Sequence, residues 1–210
     1  MPLLDESVNE IVLATRNPDK GRELGALLGG LGIRIRMLAD FPSAPEVVED
    51  GTTCEANAIK KAREIARATG VPAVADDTGL EVDALGGRPG VYAARYAGEH
   101  ATYEDNCRKL LLELAEVPRS NRTARFLTVA AIAFPSGDVH VTQGSLEGVI
   151  AEQSLGDQGF GYDPVFLVPE FNRTLAQLTA EEKNRMSHRA KAFVQMRVWL
   201  EDHRNTESVT

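Results

Sequence analysis

The sequence predicts an α/β protein built around a mixed β-sheet. Residues 11–15 form an apolar run typical of a buried strand, and a polar turn and an amphipathic helix follow it. Residues 123–134 are apolar on both alternating faces, which is typical of a central strand covered on both sides. The turn at 135–138 and the strand-like run at 139–150 complete a hairpin. A β–α unit and a hairpin in one chain therefore predict a sheet with an antiparallel section.

Length and charge limit the possible functions. The chain has 210 residues, enough for one sizeable core or two closely joined lobes. Its formal net charge of −8 argues against a general nucleic-acid binder, but it allows a small anionic substrate held by a local cluster of Lys and Arg side chains. The sequence shows no apolar span and no signal-peptide pattern, and Cys54 and Cys107 lack metal-ligand spacing. We therefore expect a cytoplasmic protein with reduced cysteines and no membrane contact.

The first β–α connection is a candidate phosphate-binding turn. Residues 16–21 are rich in turn formers, and the leucines of the helix that follows recur every three to four residues. Such a turn can present backbone N–H groups and Lys20 to phosphates, although the Walker A pattern is absent. The alternative is an ordinary connection with a solvated lysine.

The next segment combines a half-exposed strand, an acidic loop and a long helix. Residues 33–38 alternate apolar and charged side chains, and the loop at 39–51 contains Glu49. Thr52 or Thr53 is expected to cap the helix. An apolar stripe predicts its buried face. The polar side chains expected on its remaining faces are Asn57, Lys60, Lys61 and Arg63.

Two adjacent carboxylates follow the helix. Residues 72–75 predict a buried strand that ends at Asp76 and Asp77, and residues 80–85 predict a separate short strand. Adjacent strand residues point to opposite faces, so only one of the two carboxylates is expected to face a functional cleft. Carboxylates at a strand end suit Mg²⁺, which binds through one or two carboxylates plus substrate phosphates. The alternative is a strand-to-turn junction with Asp as a turn former.

A glycine-rich loop carries two aromatic residues. The helix before the hairpin is expected to start after Thr102, with Cys107 on its buried face. After the hairpin, residues 154–164 interleave three glycines with Phe160 and Tyr162. This pattern predicts exposed rings against which a flat base can stack. The alternative is a structural loop with no ligand.

The last segment is helical and basic. Thr179 and Glu182 form a capping box, and Ser187 either caps a second helix or lies within one long helix. The basic cluster comprises Lys183, His188, Arg189 and Lys191. Such a cluster could hold an anionic substrate, and the alternative is a solvated helix face. Residues beyond Trp199 are expected to form a disordered tail.

Four segments, in order, give a family resemblance. They are Thr-Arg-Asn-Pro-Asp-Lys at 15–20, Ala-Asp-Asp-Thr-Gly-Leu at 75–80, Gly-Phe-Gly-Tyr-Asp-Pro at 159–164 and Ser-His-Arg at 187–189. This set resembles the inosine triphosphate pyrophosphatase family over about residues 10–200. Asn57-Ala58 and the segment 86–96 add to it. Two positions depart from the family pattern: Arg16, where a small residue is frequent, and Cys54, where an aromatic is frequent.

The resemblance implies a fold, an activity and a cofactor. It implies a single domain over residues 1–210, with two lobes, a long mixed central sheet flanked by helices and an active site in the cleft between the lobes. It also implies a homodimer that requires Mg²⁺. The implied reaction is hydrolysis of the non-standard purine nucleoside triphosphates ITP, dITP and XTP to the monophosphate and pyrophosphate, which cleanses the nucleotide pool.

The resemblance also implies residue roles. Asp77 would be catalytic and would hold the metal together with Glu49. A carboxylate can ligate a metal or accept the proton of the attacking water, and the sequence leaves both roles of Asp77 open. The implied substrate contacts are Thr15, Arg16, Asn17, Pro18, Asp19, Lys20, Thr78, Phe160, Gly161, Tyr162, Asp163, Lys183, His188 and Arg189.

Two other functions remain open from sequence. A haloacid-dehalogenase-like phosphatase also places Asp at a strand end, but the order Asp-Asp-Thr-Gly at 76–79 lacks its Asp-x-Asp spacing. Such an enzyme would release orthophosphate. A non-catalytic nucleotide-binding module would hold the triphosphate without turnover.

Overall fold

The computed structural model describes residues 8–205, with side chains up to His203. The strands are β1 (Glu10–Leu13), β2 (Arg34–Met37), β3 (Ala73–Val82), β4 (Pro89–Gly90), β5 (Thr123–Ala133), β6 (Val139–Ile150), β7 (Phe166–Val168) and β8 (Arg173–Thr174). The α-helices are α1 (Pro18–Leu28), α2 (Cys54–Thr69), α3 (Tyr103–Glu113), α4 (Ala180–Met186) and α5 (His188–Asn205). The predicted hairpin is confirmed, because a short turn joins β5 to β6 and the two strands are neighbours in the sheet.

The eight strands form one mixed sheet in the order β2-β1-β3-β5-β6-β7-β8, and β4 pairs with β3 off this path. β1 runs parallel to β2 and to β3. The pairs β3–β4, β6–β7 and β7–β8 are antiparallel. The α/β fold class and the mixed sheet predicted from the sequence are therefore confirmed.

The chain divides into two compact units, each with its own apolar core. The first unit comprises residues up to 77, then 128–144 and those from 191 onward, and the second comprises 78–127 and 145–190. Fully buried side chains of the first core include Ile11, Leu13, Leu24, Ile132, Phe193 and Met196. Those of the second include Leu80, Leu110, Leu114, Ile150, Phe166 and Leu175. A single functional domain over residues 1–210 stays a prediction.

Strand β3 is longer than the sequence predicts. The sequence predicts that it ends at Asp76 and Asp77, but it continues through both carboxylates to Val82. The pairing with β1 stops at Leu13 and Val74, whereas β4 pairs with the far end of β3 at Leu80 and Glu81. Residues 80–82 thus belong to β3, and Asp83–Leu85 is a short 3-10 helix. Asp76 and Asp77 lie within a strand, just beyond the point where its parallel neighbour ends.

The helix ends follow the capping residues of the sequence. Thr53, not Thr52, is the N-cap of α2, and its hydroxyl accepts a hydrogen bond from the Ala56 N–H at 3.1 Å. Ser187 resolves the open alternative at the last helices, because it ends α4 and its hydroxyl accepts the Ala190 N–H at 3.1 Å in the first turn of α5. The basic segment therefore forms two helices.

The end of α5 differs from the predicted disordered tail. The helix continues to Asn205, and Leu200 is fully buried. The Trp199 ring also stacks between His140 and His203, at centroid distances of 4.3 and 3.8 Å. These contacts explain why residues 200–205 remain helical, while residues 206–210 lie outside the described part of the chain. Among the described residues, no helix is long and apolar enough to cross a membrane.

The cap of α2 gives a stability prediction. Thr53→Ala removes the side-chain acceptor for the Ala56 N–H, so we expect the free energy of unfolding to fall by about 1 kcal/mol. Urea unfolding followed by circular dichroism measures the change. Thr52→Ala is the matched control, because Thr52 is exposed and is not the N-cap. An equal loss in both variants would contradict the assignment of the cap.

Candidate active site

Asp77 lies buried within β3 with two polar partners from α2. Its Oδ2 accepts a hydrogen bond from Asn57 Nδ2 at 3.0 Å, and its Oδ1 lies 3.9 Å from Lys61 Nζ. Burial raises the pKa of Asp77, while the positive charges of Lys61 and Lys20 oppose the rise. Burial and the neighbouring Asp77 carboxylate raise the pKa of the Cys54 thiol to about 12, so this cysteine stays protonated beside Asp77.

Lys61 lies between the carboxylates of Glu49 and Asp77. Its Nζ donates to Glu49 Oε2 at 2.9 Å and to the Asp76 carbonyl at 2.7 Å. Burial disfavours the charged form, but the carboxylates of Glu49, Asp76 and Asp77 together raise the pKa of Lys61. The ammonium group therefore stays charged between Glu49 and Asp77.

Asn57 connects the loop at 39–51 to Asp77 through two hydrogen bonds. Its Oδ1 accepts the Gly51 N–H at 2.8 Å, while its Nδ2 donates to Asp77. A Cβ at residue 51 would meet Asn57 Oδ1 at 2.5 Å, so only glycine allows this approach. Because Gly51 follows Glu49 and Asp50 directly, this contact sets where the acidic residues lie.

Asp76 also contacts a candidate site residue, and which of the two carboxylates faces a functional cleft stays a prediction. Its Oδ2 lies 3.3 Å from Lys20 Nζ, and its side chain is almost fully buried. The two carboxylates do have different partners, as alternation along a strand requires. We call Lys20, Glu49, Asn57, Lys61, Asp76 and Asp77 the carboxylate–lysine cluster.

The turn at 15–20 is closed by its own side chains. Asn17 Oδ1 accepts the N–H groups of Asp19 at 2.9 Å and of Lys20 at 3.3 Å, which makes Asn17 the N-cap of α1. Thr15 Oγ1 accepts the Asn17 N–H at 3.2 Å. The expectation that the turn offers free N–H groups to phosphates is therefore wrong for the Asp19 and Lys20 amides.

The other side chains of this turn have separate partners. Arg16 donates to the Ala44 carbonyl at 3.0 Å, and the Asp19 carboxylate pairs with Arg22. Pro18 is the first residue of α1, where its missing N–H is harmless. Lys20, the last residue of the turn, reaches the Asp76 carboxylate and so brings this turn to the carboxylate–lysine cluster.

The oxygens of Asp77 and Glu49 fit a hard divalent cation. Both carboxylates approach the single ammonium group of Lys61, which shows that they converge on one positive charge. No group of three or more His, Cys, Asp and Glu side chains that could hold a metal occurs in the described part of the chain. Mg²⁺ does not need three protein ligands, since it retains several waters and binds through one or two carboxylates plus substrate phosphates.

The second unit holds another group of candidate residues around Phe160. Lys183 Nζ lies 4.9 Å from the centroid of the Phe160 ring, and the guanidinium carbon of Arg189 lies 5.3 Å from it. Arg189 also donates to Thr78 Oγ1 at 3.2 Å, and Lys183 donates to Asp163 Oδ2 at 2.7 Å. We call these five residues the Phe160 cluster. Its basic members are buried, so the alternative of a solvated helix face is wrong for them, although Lys191 is exposed.

Two predicted substrate residues lie inside the second core. Tyr162 is buried, and its hydroxyl donates to the Ala93 carbonyl at 2.9 Å, so the predicted exposed ring is wrong at this position. His188 is also buried, and its ring stacks on Phe126 at a centroid distance of 4.4 Å. The Gly161 carbonyl accepts the Cys107 thiol at 3.4 Å. These contacts anchor the loop and leave Phe160 as its half-buried ring.

Sequence reasoning gave Asn57 and Lys61 no role in the site. Asn57 and Lys61 were placed on the outer faces of α2, but they are buried, 1% and 8% exposed. Their spacing of four residues puts them on one helix face, together with the apolar stripe. A polar pair at this spacing inside an apolar stripe is the signal that could have identified them.

Comparisons with known proteins find relatives over most of the chain. A model of the Ham1 family matches residues 11–199. The dITP/XTP pyrophosphatase of Geobacillus kaustophilus is 50% identical over 189 residues, which cover 90% of this chain and 93% of that protein. The dITP/XTP pyrophosphatase of Geobacter sulfurreducens is 50% identical over 196 residues, which cover 93% and 96%.

Solved structures show the same fold. A HAM1 protein from Coxiella burnetii superposes with a TM-score of 0.84 at 42% identity, covering 92% of this chain and 98% of that chain. The nucleoside-triphosphatase / dITP/XTP pyrophosphatase from Mycobacterium abscessus gives a TM-score of 0.72 at 42% identity, covering 89% and 98%. The resemblance inferred from the four sequence segments is confirmed, and the chain belongs to the Ham1 family.

Proposed function

We propose that this protein is a nucleoside-triphosphate pyrophosphatase that hydrolyses non-standard purine nucleoside triphosphates to the monophosphate and pyrophosphate. The main supporting observation is the buried Asp77 carboxylate, held by Asn57 beside the charged Lys61. Curated relatives of the same family, 50% identical to this chain, are named dITP/XTP pyrophosphatases. A homodimer and a cytoplasmic location stay predictions.

The carboxylate–lysine cluster supports the phosphate chemistry. Hydrolysis of the α–β anhydride needs an attacking water in line with the leaving pyrophosphate, and neutralisation of the phosphate charge. Lys20 supplies a positive charge near the carboxylates. Asp77 is the proposed metal ligand or acceptor of the water's proton, and both roles need its negative charge.

Phosphoryl-transfer sites generally use a divalent metal ion to neutralise the phosphate charge. We propose Mg²⁺ for this protein, with Asp77 and Glu49 as the residues that would hold it. When bound, the ion would offset the negative charge of the phosphates. Two side chains hold these carboxylates in place, because Asn57 donates to Asp77 and Lys61 donates to Glu49.

The Phe160 cluster supports recognition of the base and a further phosphate contact. Phe160 offers a half-buried ring for stacking, and the buried Arg189 offers a guanidinium. Hypoxanthine and xanthine carry an oxygen at C6, which accepts hydrogen bonds, whereas adenine carries an amino group there. Fixed donors would pair with the oxygen and would be left unpaired by adenine.

The reaction products test the proposed function. We expect the protein to convert ITP in the presence of Mg²⁺ to the monophosphate and pyrophosphate. We expect the Asp77→Asn variant to retain less than about a tenth of the wild-type kcat, because the substitution removes the negative charge. The fold should survive, because Lys61 keeps Glu49 as a partner. Ion-exchange chromatography identifies the released phosphate species. Asp50→Asn is the control, since Asp50 is exposed and pairs with Lys60.

Each alternative predicts another result. Orthophosphate as the first product would support a haloacid-dehalogenase-like phosphatase, and ITP binding without turnover would support a binding module. Full activity in Asp77→Asn would remove Asp77 from the centre of the proposal.

The two proposed phosphate lysines give a prediction about base dependence. Lys20→Met and Lys183→Met should lower kcat/KM by the same factor for ITP, XTP and GTP, because a lost phosphate contact does not depend on the base. Steady-state kinetics with each nucleotide measures this, after thermal unfolding has shown that the variants fold. Lys60→Met is the control, since its side chain pairs with the exposed Asp50. A loss confined to one base would assign that lysine to base recognition.

Arg189 gives a prediction about specificity. We expect kcat/KM for ITP and XTP to lie far above that for GTP, whose 2-amino group needs room or an acceptor, with ATP lowest or similar to GTP. Arg189→Ala should lower ITP turnover and narrow the ITP-to-ATP ratio, because a buried donor no longer rejects adenine. Kinetics on the four nucleotides measures both effects.

The matched control for Arg189 is Arg185→Ala, which removes an exposed guanidinium that pairs with Glu181. Its kinetics should equal those of the wild type. If Arg189→Ala lowers turnover of ITP and ATP by equal factors, Arg189 contacts phosphate or supports the fold, and the donors that recognise C6 lie elsewhere.

A further inference from the structure

Asp163 is almost fully enclosed by its own loop and by α4. Its Oδ2 accepts two hydrogen bonds, from Lys183 Nζ at 2.7 Å and from the Phe160 N–H at 3.0 Å. Its backbone is tied as well, because its N–H donates to the Phe160 carbonyl at 3.3 Å and its carbonyl accepts the Ala176 N–H at 3.1 Å. The side chains of Asp163 and Lys183 are 4% and 9% exposed, so the ion pair is buried.

Gly159 leaves space for this carboxylate. A Cβ at residue 159 would overlap Asp163 Oδ2 and would lie 3.3 Å from Lys183 Nζ. The φ of Gly159 is also +79°, a backbone conformation that other residues rarely adopt. Because Gly159 has no side chain, the Asp163 carboxylate can occupy the space where a Cβ would lie.

The family resemblance assigned Asp163 to the substrate, and its geometry favours another role. Asp163 Oδ2 already accepts from two donors, and a carboxylate repels a triphosphate. Lys183, in contrast, is a cation held 4.9 Å from the Phe160 ring centroid. A buried ion pair limits the positions of the long lysine side chain, so its ammonium group is fixed before a ligand arrives.

We infer that Asp163 is a positioning residue: its carboxylate holds Lys183 beside Phe160, and it acts on the nucleotide through Lys183 without contacting it. This inference rests on the proposed function, because it concerns how the proposed substrate is held. Asp163 orders both the lysine and the first residue of the Phe160–Asp163 turn, so one side chain links the proposed stacking ring to the proposed phosphate contact.

A double-mutant cycle tests the inference. Asp163→Asn keeps the shape and an acceptor oxygen but removes the charge, so we expect kcat/KM for ITP to fall about tenfold, as for weakening of one charged hydrogen bond. The loss should lie mainly in KM. In a Lys183→Met background, the same Asp163→Asn change should alter kcat/KM less than about twofold, because its effect passes through the lysine.

The control is Asp157→Asn, in the same loop, where an exposed carboxylate accepts from Gln158 at 2.9 Å. It should leave kcat/KM unchanged in both backgrounds. An equal loss from Asp163→Asn with and without Lys183 would overturn the inference, since the carboxylate would then act on the substrate or on the loop by itself.

A second readout does not depend on turnover. In protein labelled with ¹⁵N-lysine, the ammonium signal of Lys183 is identified by its loss in Lys183→Met. We expect Asp163→Asn to shift or broaden this signal and Asp157→Asn to leave it in place. An unchanged signal in Asp163→Asn would overturn the inference. If the wild type releases no pyrophosphate from ITP, the proposed function fails, and this spectrum still decides whether Asp163 positions Lys183.

Discussion

The pairing of buried carboxylates with lysines is the constraint on which the first unit depends. Asp76 and Asp77 are consecutive, buried and acidic, and neither could stay ionised there without nearby positive charge and hydrogen-bond donors. Lys20 of α1 approaches the first, and Lys61 and Asn57 of α2 approach the second. Removing one partner of a buried ion pair typically costs about 3–5 kcal/mol, a large part of the stability of a whole domain. The proposed catalytic charges and the packing of the two helices are therefore coupled.

Much of the fold could be predicted because it rests on local patterns. The hairpin of β5 and β6, the Thr53 cap and the Thr179 capping box follow from turn and cap chemistry within a few residues. The length of β3 could not be predicted in this way. Its middle, residues 76–79, has poor strand propensity. It is a strand because β5, which is distant in sequence, lies beside it in the sheet and β4 pairs with its far end.

The same distinction applies to the candidate site. Asp77, Lys20 and Lys183 could be identified from motifs, and each lies beside another polar group of its unit. Lys61 and Tyr162 were misplaced for opposite reasons. A lysine on a helix is expected in solvent, but the charge of Lys61 is stabilised in a buried position by three carboxylates. A tyrosine in a glycine-rich loop is expected to be exposed, but the Ala93 carbonyl gives the Tyr162 hydroxyl a buried hydrogen-bond partner. Both depend on tertiary contacts that periodicity does not report.

The alternation of β3 has a consequence for insertions and deletions. Each of Asp76 and Asp77 meets its own lysine because the side-chain period of a strand is two residues. Adding or removing one residue between Val74 and Asp76 would turn every following side chain to the opposite face, so the partners of the two carboxylates would be exchanged and Leu80 would leave its core. Substitutions here change one contact at a time, but a change of length alters all of them together. Libraries that vary this strand should therefore keep its length constant.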